Sequence, residues 1–286
     1  MSHALPLRGR TTLVTGANAG LGLAAARQLA HAGAHVVLAA RTMERGETAA
    51  AHIRESEPAA RLSVVAGDFS SLSGVRALAG AVRRACPRLD VLINNAGVVR
   101  AHRHETVDGF EWTFAVNHLA PFLLTRLLMP AMGAGGRVVV VTSDAHRDVS
   151  LDLDDLHATR AYDPLVAYRR SKLANVLFAR TLARRAPELS VFAVAPGIVA
   201  TDIVREAPSA LQEAWATRGR PAREAARTIV HAAADPALAG TTLRYFSEGR
   251  ELSPSAGACD DALGERLWEI SAVLTGTPAW PVSLTE

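Results

Sequence analysis

Short uninterrupted apolar runs alternate along the chain with longer stretches in which apolar residues recur every three or four positions. The runs at 12–15, 35–39, 62–66, 91–93, 137–142, 190–195 and 242–245 are rich in Val, Leu, Ile and Ala, and most do not alternate with polar residues. Such runs suit strands buried on both faces. Between the first six, residues 20–31, 43–56, 71–85, 105–132 and 164–186 carry helical patterns. This alternation predicts an α/β fold with a parallel sheet sandwiched between helices. A (β/α)8 barrel would alternate too, but the glycine-rich turn after the first run belongs to open sheets. Residues 200–220 hold no strand-like run and predict an irregular excursion, placed where a lid over a ligand crevice would sit.

The length of 286 residues allows two domains. No linker or repeat divides the chain, however, and the motifs below fall on one continuous strand–helix series. A single domain over 1–286 is expected, with an exposed insertion at 148–163, the lid at 200–220 and a C-terminal extension at 247–286. The composition, 49% hydrophobic and 21% charged, excludes a disordered chain. No run of about 18 apolar residues occurs, so no membrane span is expected. The first ten residues lack an apolar stretch of signal-peptide length, and the two cysteines form no disulfide framework, so a cytoplasmic location is expected. A net charge of +3 without basic clustering argues against nucleic acid as a partner.

Residues 12–22, Thr-Leu-Val-Thr-Gly-Ala-Asn-Ala-Gly-Leu-Gly, read as strand, turn and helix start. Gly16, Gly20 and Gly22 let backbone approach a pyrophosphate closely, and the helix N-terminus favours its charge. At the end of the second run, Ala40 stands where an acid would bind a ribose 2′-hydroxyl and repel a 2′-phosphate, and Arg41 follows. A guanidinium engages phosphate bidentately, so NADP(H) is favoured over NAD(H). Asp68 is placed to accept from an adenine amino group or to cap the helix beginning near Ser71, although Ser70 is better placed as a cap. The small residues of Asn94-Asn95-Ala96-Gly97 let backbone approach a ligand, while their amides can tie neighbouring strands together.

Tyr168 and Lys172 lie four residues apart in a stretch that Asp163 can cap and Pro164 can open, so they share a helix face. A cation ~6 Å away at an effective dielectric of ~20 stabilises a phenolate by roughly 3 kcal/mol, about two pKa units. That would ready Tyr168 for proton exchange with a carbinol or carbonyl oxygen near neutral pH. Ser143 ends the fifth run, at the carboxyl edge where open sheets bind ligands. Asn117 interrupts a helical stretch ahead of Pro121, so its side chain or freed backbone can hold a water that relays protons to Lys172. His146 borders Ser143, and a structural role for it is equally open. Trp215 and Trp268 are assigned either to packing of the lid and C-terminal helix or to an apolar pocket wall. His102 and His104 read as a solvated loop at the substrate mouth rather than metal ligands. The four aspartates between 148 and 155 lack the glycine and terminal glutamate of a calcium loop, so no metal is expected.

Taken in order, Thr15-Gly-x-x-x-Gly-x-Gly22, Asn94-Asn-Ala-Gly97, Asn117, Ser143, Tyr168-x-x-x-Lys172 and Pro196-Gly197 resemble the short-chain dehydrogenase/reductase family over nearly the whole chain. Residues 106–118, 171–178 and 265–270, and the 25-residue step from Ser143 to Tyr168, are similar to its retinol dehydrogenase-like branch. The resemblance implies a Rossmann-type, doubly wound parallel sheet of about seven strands and reversible hydride transfer at a carbon bearing oxygen. It implies a tetrad in which Tyr168 is the acid/base, Lys172 also grips the nicotinamide ribose, Ser143 orients substrate, and Asn117 holds the relay water. Thr201 would contact the carboxamide. The expected cofactor contacts are Gly16, Asn18, Ala19, Gly20, Leu21 and Gly22, then Arg41, Asp68, Phe69, Asn95, Ala96 and Gly97, and finally Asn117, Tyr168, Lys172, Pro196, Gly197, Ile198 and Thr201. Ser143, His146, Tyr168 and Ile203 are expected beside the substrate.

The branch typically uses NADP(H), but some NADP-using relatives carry a second basic residue inside the glycine turn, where this chain has Ala19. The preference therefore rests on Arg41. An apolar, alanine-rich lid implies a bulky, largely apolar ketone, aldehyde or alcohol as the small-molecule partner. The abundance of alanine and arginine fits a GC-rich bacterial genome and a specialised-metabolism enzyme. Two rival readings stand beside the reductase: an epimerase or dehydratase using transient hydride transfer, and a non-catalytic NADP(H)-sensing protein. Related enzymes form homo-oligomers through the 105–132 and 164–186 helices, while branch members also occur as monomers.

Overall fold

The computed structural model describes residues 6–207 and 209–277. Five strands and their crossover helices appear in the expected order: β1 (Thr11–Thr15), α1 (Gly20–His31), β2 (His35–Ala40), α2 (Met43–Ser56), β3 (Arg61–Ala66), α3 (Leu72–Ala85), β4 (Leu89–Asn94) and, after a split helix, β5 (Met132–Val141). There follow α6 (Pro164–Arg185), β6 (Ser190–Ala195), α7 (Ser209–Arg218), α8 (Ala222–Ala234), β7 (Arg244–Ser247), β8 (Arg250–Leu252) and α9 (Asp261–Thr275). The sheet order is β3-β2-β1-β4-β5-β6-β7-β8. All pairings are parallel except the last, which is an antiparallel hairpin. This is the doubly wound Rossmann arrangement, one strand larger than expected, because the turn at Glu248-Gly249 folds three further residues back along β7. Strand order reverses between β1 and β4, and such a switch point opens a crevice at the carboxyl ends of the strands.

The continuous apolar runs are explained by two cores, one on each face. Leu13, Leu92, Val138 and Val191 pack against α3, α6, α9 and a segment of the split helix. Val14, Ile93, Val139 and Val194 pack against α1, α2 and α8. Helix starts follow local chemistry: Thr42, Ser71, Asp163 and Asp260 each accept a backbone N–H of the first turn. The α3 cap is thus Ser71, not Ser70, whose own N–H and hydroxyl instead bond Asp68 Oδ1 at 2.9 and 2.8 Å.

Three segments depart from the pattern. The stretch expected to be one helix over 105–132 begins only at α4 (Trp112–Phe114), because Gly109 turns the chain at φ +80° and Glu111 caps the helix, accepting from Thr113 and Phe114 N–H. It then widens into a π-turn at Ala115–Leu119 before α5 (Ala120–Leu128). The last parallel strand starts at Arg244 rather than 242, since Leu243 lies at φ +63°. The 200–220 excursion is not wholly irregular: it contains α7, and a bridge joins Val199 to Arg220. The 148–163 insertion is not wholly exposed, because Asp155 turns inward to accept from Thr159 N and Oγ1. The C-terminal extension is described as far as Thr277, and its remainder lies outside the described residues. Among the described residues no helix is long and apolar enough to cross a membrane, and no three His, Cys, Asp or Glu converge as a metal site.

Candidate active site

At the switch point the glycine turn and β4 are stitched together. Thr15 Oγ1 accepts from Asn95 N at 2.9 Å and Ala96 N at 3.0 Å, and Asn95 Nδ2 donates to Thr15 O at 2.8 Å. Asn94 Nδ2 pins the strand end to α5 through Thr125 Oγ1 at 2.9 Å. Gly16 and Gly20 adopt φ +65° and +52°. A Cβ at Gly22 would collide with the Gly16 carbonyl and lie 2.6 Å from Asn95 Nδ2, so this helix start packs directly on the turn. Helix α1 has no side-chain cap, which leaves its first N–H groups for an anion.

A cavity of about 910 Å³ runs along the carboxyl ends of the strands. Arg41, Asp68 and Phe69 line one end; Asn18, Ala19, Leu21 and the glycines line the middle with Asn95, Ala96 and Gly97. Ser143, Tyr168, Lys172, Pro196, Gly197, Ile198, Thr201 and Ile203 line the other end. A glycine cradle, an uncapped helix N-terminus and a guanidinium at one end make a donor set that fits an extended dinucleotide. Arg45, in the first turn of α2, joins Arg41 at the same end. Sequence reasoning looked for a second cation only in the glycine turn and missed it. Its signal is Arg41-x-x-x-Arg45 across the Thr42 cap, which aims a helix start at the strand end.

At the other end, the Ser143 side chain lies close enough to the Tyr168 phenol to favour its ionised form. Lys172 Nζ lies 5.4 Å from the Tyr168 ring centroid and donates to Val141 O at 3.3 Å. Thr142 Oγ1 donates to Lys172 O at 2.7 Å and ties helix to strand end. Lys172 is the only lysine in the chain. The expectation that this cation lowers the Tyr168 pKa is not met. Burial dominates, pushing the phenol up to about 12 despite the nearby Ser143 hydroxyl and the ammonium down to about 8. The tyrosine therefore stays protonated at neutral pH.

Two expected residues fall elsewhere. The Asn117 side chain faces away from the cavity: its Oδ1 accepts from Val98 N at 2.8 Å, and its Nδ2 donates to Val98 O and Ser171 Oγ at 3.0 Å each. Since Pro121, four residues on, has no N–H, the part of Asn117 freed for a proton path is its main-chain carbonyl, at the π-turn. His146 is fully buried and bonds Ser143 O rather than bordering substrate. His102 and His104 are exposed and do not line the cavity.

The lid completes the wall. Val204 and Ala207 pack with Val99 and Tyr168, joined by Ile203 and Trp215. Arg100 Nη1 meets Glu206 Oε2 at 2.6 Å while its guanidinium stacks on Trp112 at 4.4 Å. Gln212 Nε2 donates to Arg205 O and Ala207 O, on either side of Glu206. Trp268 packs instead in the core against Phe122, 4.9 Å between centroids. The Arg100–Glu206 pair, 106 residues apart, carries no sequence signature.

A nucleotide cradle and a Ser–Tyr–Lys cluster at opposite ends of one cavity define a class, and comparison agrees: the chain belongs to the short-chain dehydrogenase/reductase family, in its retinol dehydrogenase-like branch, with the short chain dehydrogenase family model matching residues 10–212. It is 38% identical over 294 residues to retinol dehydrogenase 14 of Homo sapiens, covering 94% of this chain and 87% of that protein. It is 42% identical over 276 residues to "Putative daunorubicin C-13 ketoreductase DnrU" of Streptomyces sp. (strain C5), covering 96% and 95%. The solved structure of angucycline C-6 ketoreductase LanV with bound NADP superposes with a TM-score of 0.68 at 26% identity, covering 85% of this chain and 96% of that one. The chain is an oxidoreductase of the class acting on alcohols and their carbonyl counterparts.

Proposed function

We propose that this oxidoreductase is a single-domain enzyme that uses NADP(H) to interconvert a bulky, largely apolar ketone or aldehyde and its alcohol. One observation carries the reading: a single cavity holds Arg41 and Arg45 at one end and the Ser143–Tyr168–Lys172 cluster at the other. Ala40 offers no carboxylate to a 2′-phosphate, and two guanidinium groups stand ready for one. The glycine turn and α1 N-terminus would hold the pyrophosphate, Lys172 the nicotinamide ribose, and Thr201 the carboxamide. When bound, NADPH supplies the hydride for the carbonyl carbon and NADP+ takes it back in the reverse direction. Tyr168 donates its proton to the carbonyl oxygen while Ser143 holds that oxygen by a hydrogen bond. Burial keeps Tyr168 protonated at neutral pH, so it holds the proton that a carbonyl oxygen would take. The buried Lys172 ammonium would pass a proton to the tyrosinate left behind and be reprotonated by water held at the Asn117 main-chain carbonyl.

Val99, Ile203 and Trp215 give the substrate end its apolar lining and support the bulky apolar substrate. A role in bacterial specialised metabolism is the narrower reading, supported by the alanine- and arginine-rich composition and the similarity to the Streptomyces protein. The direct test is Tyr168→Phe. Fluorescence titration should show NADPH affinity within about twofold of the parent, while turnover falls by about 100-fold or more, within the range for lost acid catalysis. Undiminished turnover would remove Tyr168 from the chemistry.

A further inference from the structure

His146 is one of the buried titratable groups that the proposed chemistry leaves unused. Its Nε2 lies 3.1 Å from Ser255 N, a group that can only donate, so Nε2 accepts and Nδ1 carries the proton. Nδ1–H then donates to the Ser143 carbonyl at 2.8 Å. One ring therefore bridges the residue that faces the substrate oxygen to the loop that follows β8, where Ser255 lies 109 residues beyond His146.

The neighbouring residue is held in the same way. Asp144 Oδ1 accepts from Tyr245 Oη at 2.8 Å and from Arg147 Nε at 3.1 Å, and Asp144 Oδ2 accepts from Ser247 Oγ. Arg147 Nη2 donates to Ser253 O at 2.7 Å, and the His146 ring meets Tyr245 edge to face at 5.4 Å. The short turn after β5 is thus fastened to β7 and to the C-terminal extension at several points, with His146 at its buried centre.

We propose that His146 is a positioning residue: it fixes the Ser143 backbone, and through it the Ser143 hydroxyl, so that serine, tyrosine and substrate oxygen meet. The C-terminal extension thereby becomes part of the reductive site without touching substrate. The inference rests on the reading of Ser143 given above. A misplacement of about 1 Å at such a group costs up to about 100-fold in rate, whereas the cofactor cradle is built on other elements and should not sense the change.

The test compares three substitutions in the full-length protein, with benzil as the bulky ketone and NADPH oxidation as the readout. His146→Asn keeps an N–H near the Nδ1 position and should retain at least half of kcat. His146→Gln reaches the Nε2 position only, keeping the Ser255 contact and losing the Ser143 one, and should lose about tenfold in kcat, as should His146→Ala. KM for NADPH and its dissociation constant should stay within about twofold in all three. Equal kcat for the Asn and Gln variants, whether high or low, would overturn the proposal, even if the Ala variant does not fold. Ser143→Ala separates the two levels: if it leaves kcat unchanged, the reading of the site fails. If it lowers kcat while Asn and Gln behave alike, only the role of His146 fails.

Discussion

The two ends of the cavity are built in different ways. The nucleotide end is a backbone device, in which glycine turn, uncapped helix and Thr15–Asn95 stitch set N–H groups and space with few charged side chains. The substrate end is a side-chain device, in which the Arg100–Glu206 pair, the apolar lid and the Asp144–His146 brace connect residues about a hundred positions apart. A backbone device tolerates little change and serves one ligand. A side-chain device can be retuned one residue at a time, which suits a branch whose relatives here bear the names of a retinol dehydrogenase and an antibiotic ketoreductase.

If this contrast is right, each end breaks without the other. The largest effect is expected from Gly22→Ala, whose Cβ would strike the Gly16 carbonyl. NADPH affinity should fall by about 100-fold or the fold should be lost, measured by titration and thermal melting. Next, Arg41→Ala should weaken NADPH by about tenfold and NADH by less than twofold, with Arg45→Ala smaller in the same direction. Equal losses for both cofactors would remove the phosphate role. At the other end, Glu206→Gln should raise KM for a bulky ketone by about two- to fivefold, because the pair is only partly buried, and should leave NADPH binding unchanged. The smallest perturbation is titration itself. With one lysine in the chain, a 15N-lysine label gives one Nζ signal, which should titrate near pH 8 rather than near 10.5. Because burial lowers this pKa, the unfolded chain holds the proton over pH 8 to 10.5, so the Lys172 contribution makes the fold more stable as pH rises through that window.

The same contrast decides what the sequence revealed. Sheet, helix order, glycine turn, Tyr168-x-x-x-Lys172 and Ser143 at a strand end are local patterns, and each appears where expected. Arg45 was legible in principle, once the Thr42 cap is seen to turn α2 toward the strand end. Arg100, Glu206 and the His146–Ser255 bridge were not, because nothing near Arg100 marks a partner 106 residues away. The Tyr168 pKa was misjudged for the same reason. Spacing on a helix gives the distance to Lys172, whereas burial, which decides the sign, comes from the lid packing on Tyr168.

The measurement that tests the central claim most directly follows a labelled hydride. Protein, a bulky aromatic ketone and NADPH carrying deuterium on the transferred face of the nicotinamide should yield a carbinol with one deuterium on the former carbonyl carbon, matched by one NADP+ formed. The same reaction with equal NADH should be slower. Product without deuterium, or a rearranged or dehydrated product with no net NADP+, would contradict a reductase that joins the two ends of this cavity in one hydride transfer.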